Sequence, residues 1–200
     1  MSYTAIAGPA GSLEGEISIV AGATRAAVLC HPHPLYGGTL NDSIVGIMAE
    51  ALTEAGLSTL RFNFRGVGAS DGTFDDGKGE AADVRAAAAH LREASGATEI
   101  LIAGYSFGAV MALAAAVDAQ ATRLVLIAPP LSMTSSPIPE IEQLIILGSD
   151  DQFVDEASTR SRFEVIGSSF VVTLAGSDHF FQSSIRSIGF AVGSWVKEWN

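Results

Sequence analysis

The sequence predicts an α/β fold: a mostly parallel, twisted sheet with helices on both faces and an antiparallel pair at its N-terminal edge. Three observations predict it. From Ala26 onward, short apolar runs alternate with longer amphipathic stretches, the pattern of strands joined by crossover helices. Before that point, Thr4–Ala7 and Leu13–Val20 flank Gly8-Pro9-Ala10-Gly11, which reads as a hairpin. In mid-chain, the apolar run Ile100–Ala103 leads through Gly104-Tyr105-Ser106-Phe107-Gly108 into an alanine-rich stretch. That is a strand, a tight turn and a helix in immediate succession.

Composition bounds the rest. Two hundred residues, 48% hydrophobic and 16% charged, suit one domain spanning 1–200 with a sizeable core. No repeat, low-complexity tract or linker divides the chain. The formal net charge is −11, which argues against a nucleic-acid partner, because phosphate binding needs clustered Lys and Arg. The eleven basic residues are scattered, and no basic helix points to a membrane surface. The longest apolar run, near Ala109–Val117, is about half of the ~18–20 residues a span requires. The N-terminus lacks the basic-then-apolar pattern of a signal peptide, and one cysteine, Cys30, permits no internal disulfide. A cytoplasmic location is therefore expected, and the oligomeric state is left open, a homodimer included.

In order, Ala26–His31 reads as a buried strand, and the next stretch, Pro32 to Thr39, as neither helix nor regular strand. A helix capped by Asn41 or Asp42 runs to about Ala55, with Ile44, Ile47, Met48, Ala51 and Leu52 on one face and Gly56 as its stop. Ser58–Phe64 is a strand, followed by a glycine-punctuated loop. The helix Glu80–Ala94 carries Glu80 and Asp83 in its first turn, where the dipole favours them. After the central unit come the strand Arg123–Ala128, the strand Leu144–Leu147, a short helix at Glu156–Val165, the strand Phe170–Leu174 and a last helix ending near Trp199.

The chemistry clusters at one end of this sheet. In parallel sheets, sites lie beyond the carboxyl ends of the strands, and three candidate segments follow three different strands there. Ser106 sits at the tight turn, where flanking glycines leave no side chain to crowd it. A serine hydroxyl needs a base, and the base needs an orienting acid. His179 follows the last strand. Asp151 follows the strand before it and is favoured over its neighbour Asp150, which suits a turn former; Asp155 and Asp178 read as capping or surface residues. Two backbone N–H groups would hold an oxyanion: that of Phe107, and one from the loop after His31. Pro32 and Pro34 have no N–H, so His33, Leu35 and Tyr36 are the available donors; Leu35 and His33 are favoured, not separable by sequence.

Blander readings cover the remaining motifs. His31 and His33 have no third ligand at a suitable spacing, so no metal is expected; His31 is expected to hydrogen-bond within its loop. Cys30 and His90 read as structural, and Phe153, Phe163, Trp195 and Trp199 as packing. The glycine-rich loops match no phosphate-binding pattern, and no cofactor is expected.

Five stretches together carry a family resemblance: Cys30 to Thr39 (Cys-His-Pro-His-Pro-Leu-Tyr-Gly-Gly-Thr), Leu60 to Gly72 (Leu-Arg-Phe-Asn-Phe-Arg-Gly-Val-Gly-Ala-Ser-Asp-Gly), Gly104 to Gly108, the Asp151 turn, and Asp178 to Phe181. The chain resembles the small uncapped bacterial α/β-hydrolases, an esterase-like group near the dienelactone hydrolases, from which it departs in carrying serine rather than cysteine at the elbow. The resemblance implies the α/β-hydrolase fold and a Ser106–Asp151–His179 triad. It also implies hydrolysis of a small-molecule ester or related acyl bond without a cofactor. Only 129–143 separates the strands where larger relatives insert a lid, so an open site without a substantial cap is expected. Thioesterase and peptidase activities use the same machinery, and a non-catalytic binding module is the alternative outside enzymology.

Overall fold

The computed structural model describes residues 2–199. Eight strands form one sheet: β1 (Ser2–Gly8), β2 (Gly11–Ser18), β3 (Arg25–Cys30), β4 (Ser58–Phe62), β5 (Glu99–Tyr105), β6 (Arg123–Ile127), β7 (Glu142–Gly148) and β8 (Ser169–Leu174), in the spatial order β1-β2-β4-β3-β5-β6-β7-β8. The β1–β2 hairpin turns through Pro9-Ala10, pairing Gly8 with Gly11, and β2 joins β4 antiparallel. Every other pairing is parallel. This is the α/β-hydrolase arrangement, as expected.

Among the described residues, five α-helices cover the sheet: α1 (Ser43–Glu54), α2 (Lys78–Ser95), α3 (Phe107–Ala115), α4 (Glu156–Glu164) and α5 (Ile185–Lys197). α1 packs with α5 on one face and α2 with α3 on the other, while α4 lies against β8. The apolar positions that share a face of α1 are buried at Ile44, Met48, Ala51 and Leu52. Asp42, not Asn41, is its cap, accepting from the N–H groups of Ile44 and Val45. The central strands β3 and β5 bury nearly every residue on both sides, so they read as unbroken apolar runs rather than as alternation.

Two local expectations are corrected. The segment from Pro32 to Thr39 contains one turn of 3₁₀ helix at Pro34–Tyr36; Pro34 sits at its first position, where a missing N–H costs nothing. Asp83 lies beyond the first turn of α2, which starts at Lys78 and holds Glu80 as its first-turn acid. It is fully buried and takes a three-point contact from Arg65: the backbone N–H at 3.1 Å, Nε at 3.0 Å and Nη2 at 2.7 Å. Glu80 meets the expectation, accepting from the N–H groups of Asp75 and Gly77 at the start of α2.

The glycine-punctuated loop after β4 is structural. Ser70 Oγ donates to the carbonyl of Asn63, Asn63 Oδ1 accepts from the Leu40 N–H, and Asn63 Nδ2 donates to Glu14. These bonds tie the N-terminal hairpin to the segment that follows β3. That segment forms one wall of the site.

Candidate active site

The site lies at the carboxyl ends of β3, β5, β7 and β8. β5 ends at Tyr105, and α3 begins at Phe107, leaving Ser106 alone to reverse the chain. It does so at φ 54° and ψ −118°, a conformation costly for a residue with a Cβ and one held only where the surroundings enforce it. The enforcement is visible on either side. A Cβ on Gly104 would stand 2.2 Å from the Gly108 carbonyl oxygen, and one on Gly108 would stand 2.3 Å from that of Cys30. Glycine at both positions therefore lets α3 start against the end of β3.

Ser106 Oγ lies 2.9 Å from His179 Nε2, and His179 Nδ1 lies 2.8 Å from Asp151 Oδ2. The other oxygen of Asp151 accepts the N–H groups of Phe153 at 2.8 Å and Val154 at 2.9 Å. Its side chain is only 1% exposed. Nδ1 of His179 therefore donates to the carboxylate, and Nε2 faces the serine as an acceptor. Asp150 instead points outward and accepts from Ser149 Oγ. The loops carrying acid and base are fastened together. The Asp150 N–H donates to the Ser177 carbonyl, and Gly148 permits a contact that its Cβ would block at 2.3 Å.

Sequence reasoning missed Tyr105. Its hydroxyl donates to the His179 carbonyl at 2.9 Å, so the residue before the serine fixes the backbone of the histidine. Burial, then the nearby charges of Asp42, Asp151 and Asp178, push the phenol pKa up and keep it a donor.

The segment after β3 separates its two candidate donors. The Leu35 N–H is already engaged by His33 Nδ1 at 3.2 Å, and the Leu35 side chain is exposed outside the cavity. His33 borders the cavity, its ring 4.9 Å from that of Phe107, and among the described residues its N–H has no protein acceptor. The N–H of Phe107, first in α3, has no intrahelical partner. His31 is spoken for on both nitrogens: Nδ1 donates to the Pro32 carbonyl, and Nε2 accepts the Phe64 N–H. Burial lowers its pKa to about 4. Cys30 is buried, its thiol pKa pushed far up by desolvation. Among the described residues, no group of three His, Cys, Asp or Glu side chains is placed to hold a metal.

Ser106 and His179 open into a cavity of about 550 Å³. Its walls include Tyr36, Met133, Phe153 and Phe180, all more than half exposed or at that limit. Phe153 corrects an expectation: it does not pack in the core but stands at the mouth, 5.0 Å from the His179 ring. Phe163, Trp195 and Trp199 are buried as expected. The signal for Phe153 lay in its position two residues after Asp151, a loop that must face the site. No helix among the described residues is long and apolar enough to cross a membrane.

Known proteins resemble this chain in sequence and in fold. A model of the hydrolase family described as "Serine aminopeptidase, S33" matches residues 43–145. An uncharacterized protein of Rickettsia prowazekii is 30% identical over 207 residues, covering 94% of this chain and 86% of its own. Among solved structures, a lidless α/β serine hydrolase from Xanthomonas campestris superposes with a TM-score of 0.90 at 32% identity. The match covers 99% of this chain and 94% of that one. An α/β serine hydrolase homologue from Coxiella burnetii does so with a TM-score of 0.86 at 34% identity, covering 96% of each.

Proposed function

Because the chain belongs to the serine hydrolase family of the α/β-hydrolase superfamily whose model it matches, we propose that it cleaves small carboxylic esters through an acyl-serine intermediate. The observation that carries this reading is the hydrogen-bonded chain Ser106–His179–Asp151, with its serine on a strained turn at the floor of an apolar cavity. Ser106 Oγ attacks the ester carbonyl as its proton passes to His179 Nε2. Asp151 holds the ring in the tautomer that accepts this proton and stabilises the imidazolium that results. The N–H groups of Phe107 and His33 receive the oxyanion. The tetrahedral intermediate then expels the alcohol, which takes the proton from Nε2. Water, deprotonated by the same nitrogen, releases the acid and restores the serine.

Small esters are favoured because the stretch 128–141 between β6 and β7 contributes only one turn of 3₁₀ helix, Leu131–Met133, beside the cavity. The walls are aromatic and apolar, which suits an acyl or alcohol group of a few carbons. The family name attaches to aminopeptidases, so an aminoacyl p-nitroanilide belongs in the substrate series as the amide arm. Steady-state hydrolysis of p-nitrophenyl acetate, butyrate and octanoate is the test. Turnover of the shorter esters, with Ser106→Ala lowering kcat by roughly 10³-fold or more, is the expected result. A folded wild-type protein without turnover of any ester would overturn the reading.

A further inference from the structure

Within the cavity, one carboxylate has no part in the chemistry described above. Asp42 borders the cavity beside Tyr105. Its Oδ1 caps α1, accepting from the Ile44 N–H at 2.8 Å and the Val45 N–H at 3.3 Å. Its Oδ2 has no protein partner among the described residues. Burial raises the pKa of this carboxyl, and the two backbone donors oppose that rise by favouring the charged form.

Among the described residues, no lysine or arginine borders the cavity. The charges that reach it are acidic: His33 on one wall feels Glu80 and Asp76, and Tyr105 feels Asp42, Asp151 and Asp178. Lys78, at the start of α2, stands in sequence among Asp75, Asp76 and Glu80. The lining also includes the aromatic rings of Tyr36, Phe153 and Phe180, a residue type whose ring faces attract cations. A cavity of this volume is roughly 8 Å across, about one Debye length at physiological salt. Both ends of a small substrate therefore lie within reach of the Asp42 charge.

Resting on the ester-hydrolase reading, we infer that the site selects substrates by charge, taking cationic and neutral esters and turning away carboxylate-bearing ones, with Asp42 as the residue that sets this preference. A positive group gains both the carboxylate and the neighbouring aromatic rings. A negative group meets a like charge that no lysine or arginine lining the cavity offsets. The role is one of specificity, and Asp42 takes no part in proton transfer.

Three butyrate esters of similar size test it, with released acid followed by pH-stat titration at pH 7.5: butyrylcholine, its neutral isostere 3,3-dimethylbutyl butyrate, and the anion 3-butyryloxypropionate. At low ionic strength, kcat/KM for the cation is expected to exceed that for the anion by about ten-fold or more, with the neutral ester between. The ratio is expected to shrink toward one in 0.5 M salt. Asp42→Asn keeps a side-chain oxygen for the Ile44 and Val45 N–H groups and is expected to collapse most of the ratio. Cation and anion hydrolysed within two-fold of each other at low salt would overturn the inference while leaving the hydrolase reading intact. So would a ratio unchanged in folded Asp42→Asn. If that variant does not fold, the wild-type salt dependence decides alone. Failure to hydrolyse even the neutral ester would remove the reading on which the inference rests.

Discussion

Asp151 Oδ2 lies 2.8 Å from His179 Nδ1, while the Asp151 Oδ1 atom accepts two backbone N–H groups from its own turn. The carboxylate is therefore held by its own loop before it meets the histidine. An asparagine at 151 can keep those backbone bonds through its carbonyl oxygen, but it presents an amide N–H to Nδ1 and favours the wrong tautomer. Asp151→Asn is expected to lower kcat by roughly 10²–10⁴-fold with little change in KM. Steady-state kinetics beside a thermal melt checks this. An unfolded variant, or one with wild-type kcat, would contradict it.

His31 predicts acid sensitivity. Its folded-state pKa is lowered by burial from 6.5 to about 4, so between these values the unfolded chain binds a proton that the folded protein refuses. Stability from this group is thus fully present above pH 6.5 and is lost as pH falls toward 4, where the loss reaches about 3 kcal/mol. Urea unfolding of wild type and His31→Gln, measured from pH 7 to pH 4.5, checks it. The difference between their unfolding free energies should narrow as pH falls, and a constant difference would contradict the prediction.

The buried Arg65–Asp83 pair predicts a non-additive stability cycle. Removing one partner strands the other charge: Asp83 is fully buried, and the Arg65 side chain is 11% exposed. Arg65→Met or Asp83→Leu alone is expected to cost about 3–5 kcal/mol, and the double variant less than either single change. Denaturant unfolding of the four proteins reads this directly. Additive single effects would show that the pair is not coupled.

Much of the fold was legible because each element announces itself locally. The alternation of apolar runs located every strand from β3 onward, and the pair Asn41 and Asp42 at one end and Gly56 at the other marked the ends of α1. Ser106, Asp151 and His179 were legible because strand ends and turn spacing limit what can face a common point. Contacts set by distant parts of the chain were not. Arg65 meets Asp83 only because α2 folds back across β4, and Phe153 reads as a core residue until its loop is seen facing His179. The hydrogen bond that occupies the Leu35 N–H also escaped sequence, since it is made by the ring nitrogen of His33.

The central claim is that Ser106 is an activated nucleophile, and the most direct measurement of it is intact-protein mass after exposure to an alkyl fluorophosphonate. Wild type should gain one adduct, mapped by peptide analysis to Ser106, and Ser106→Ala should gain none. A well-folded wild-type protein that stays unmodified, or an adduct that persists in Ser106→Ala, would contradict the account.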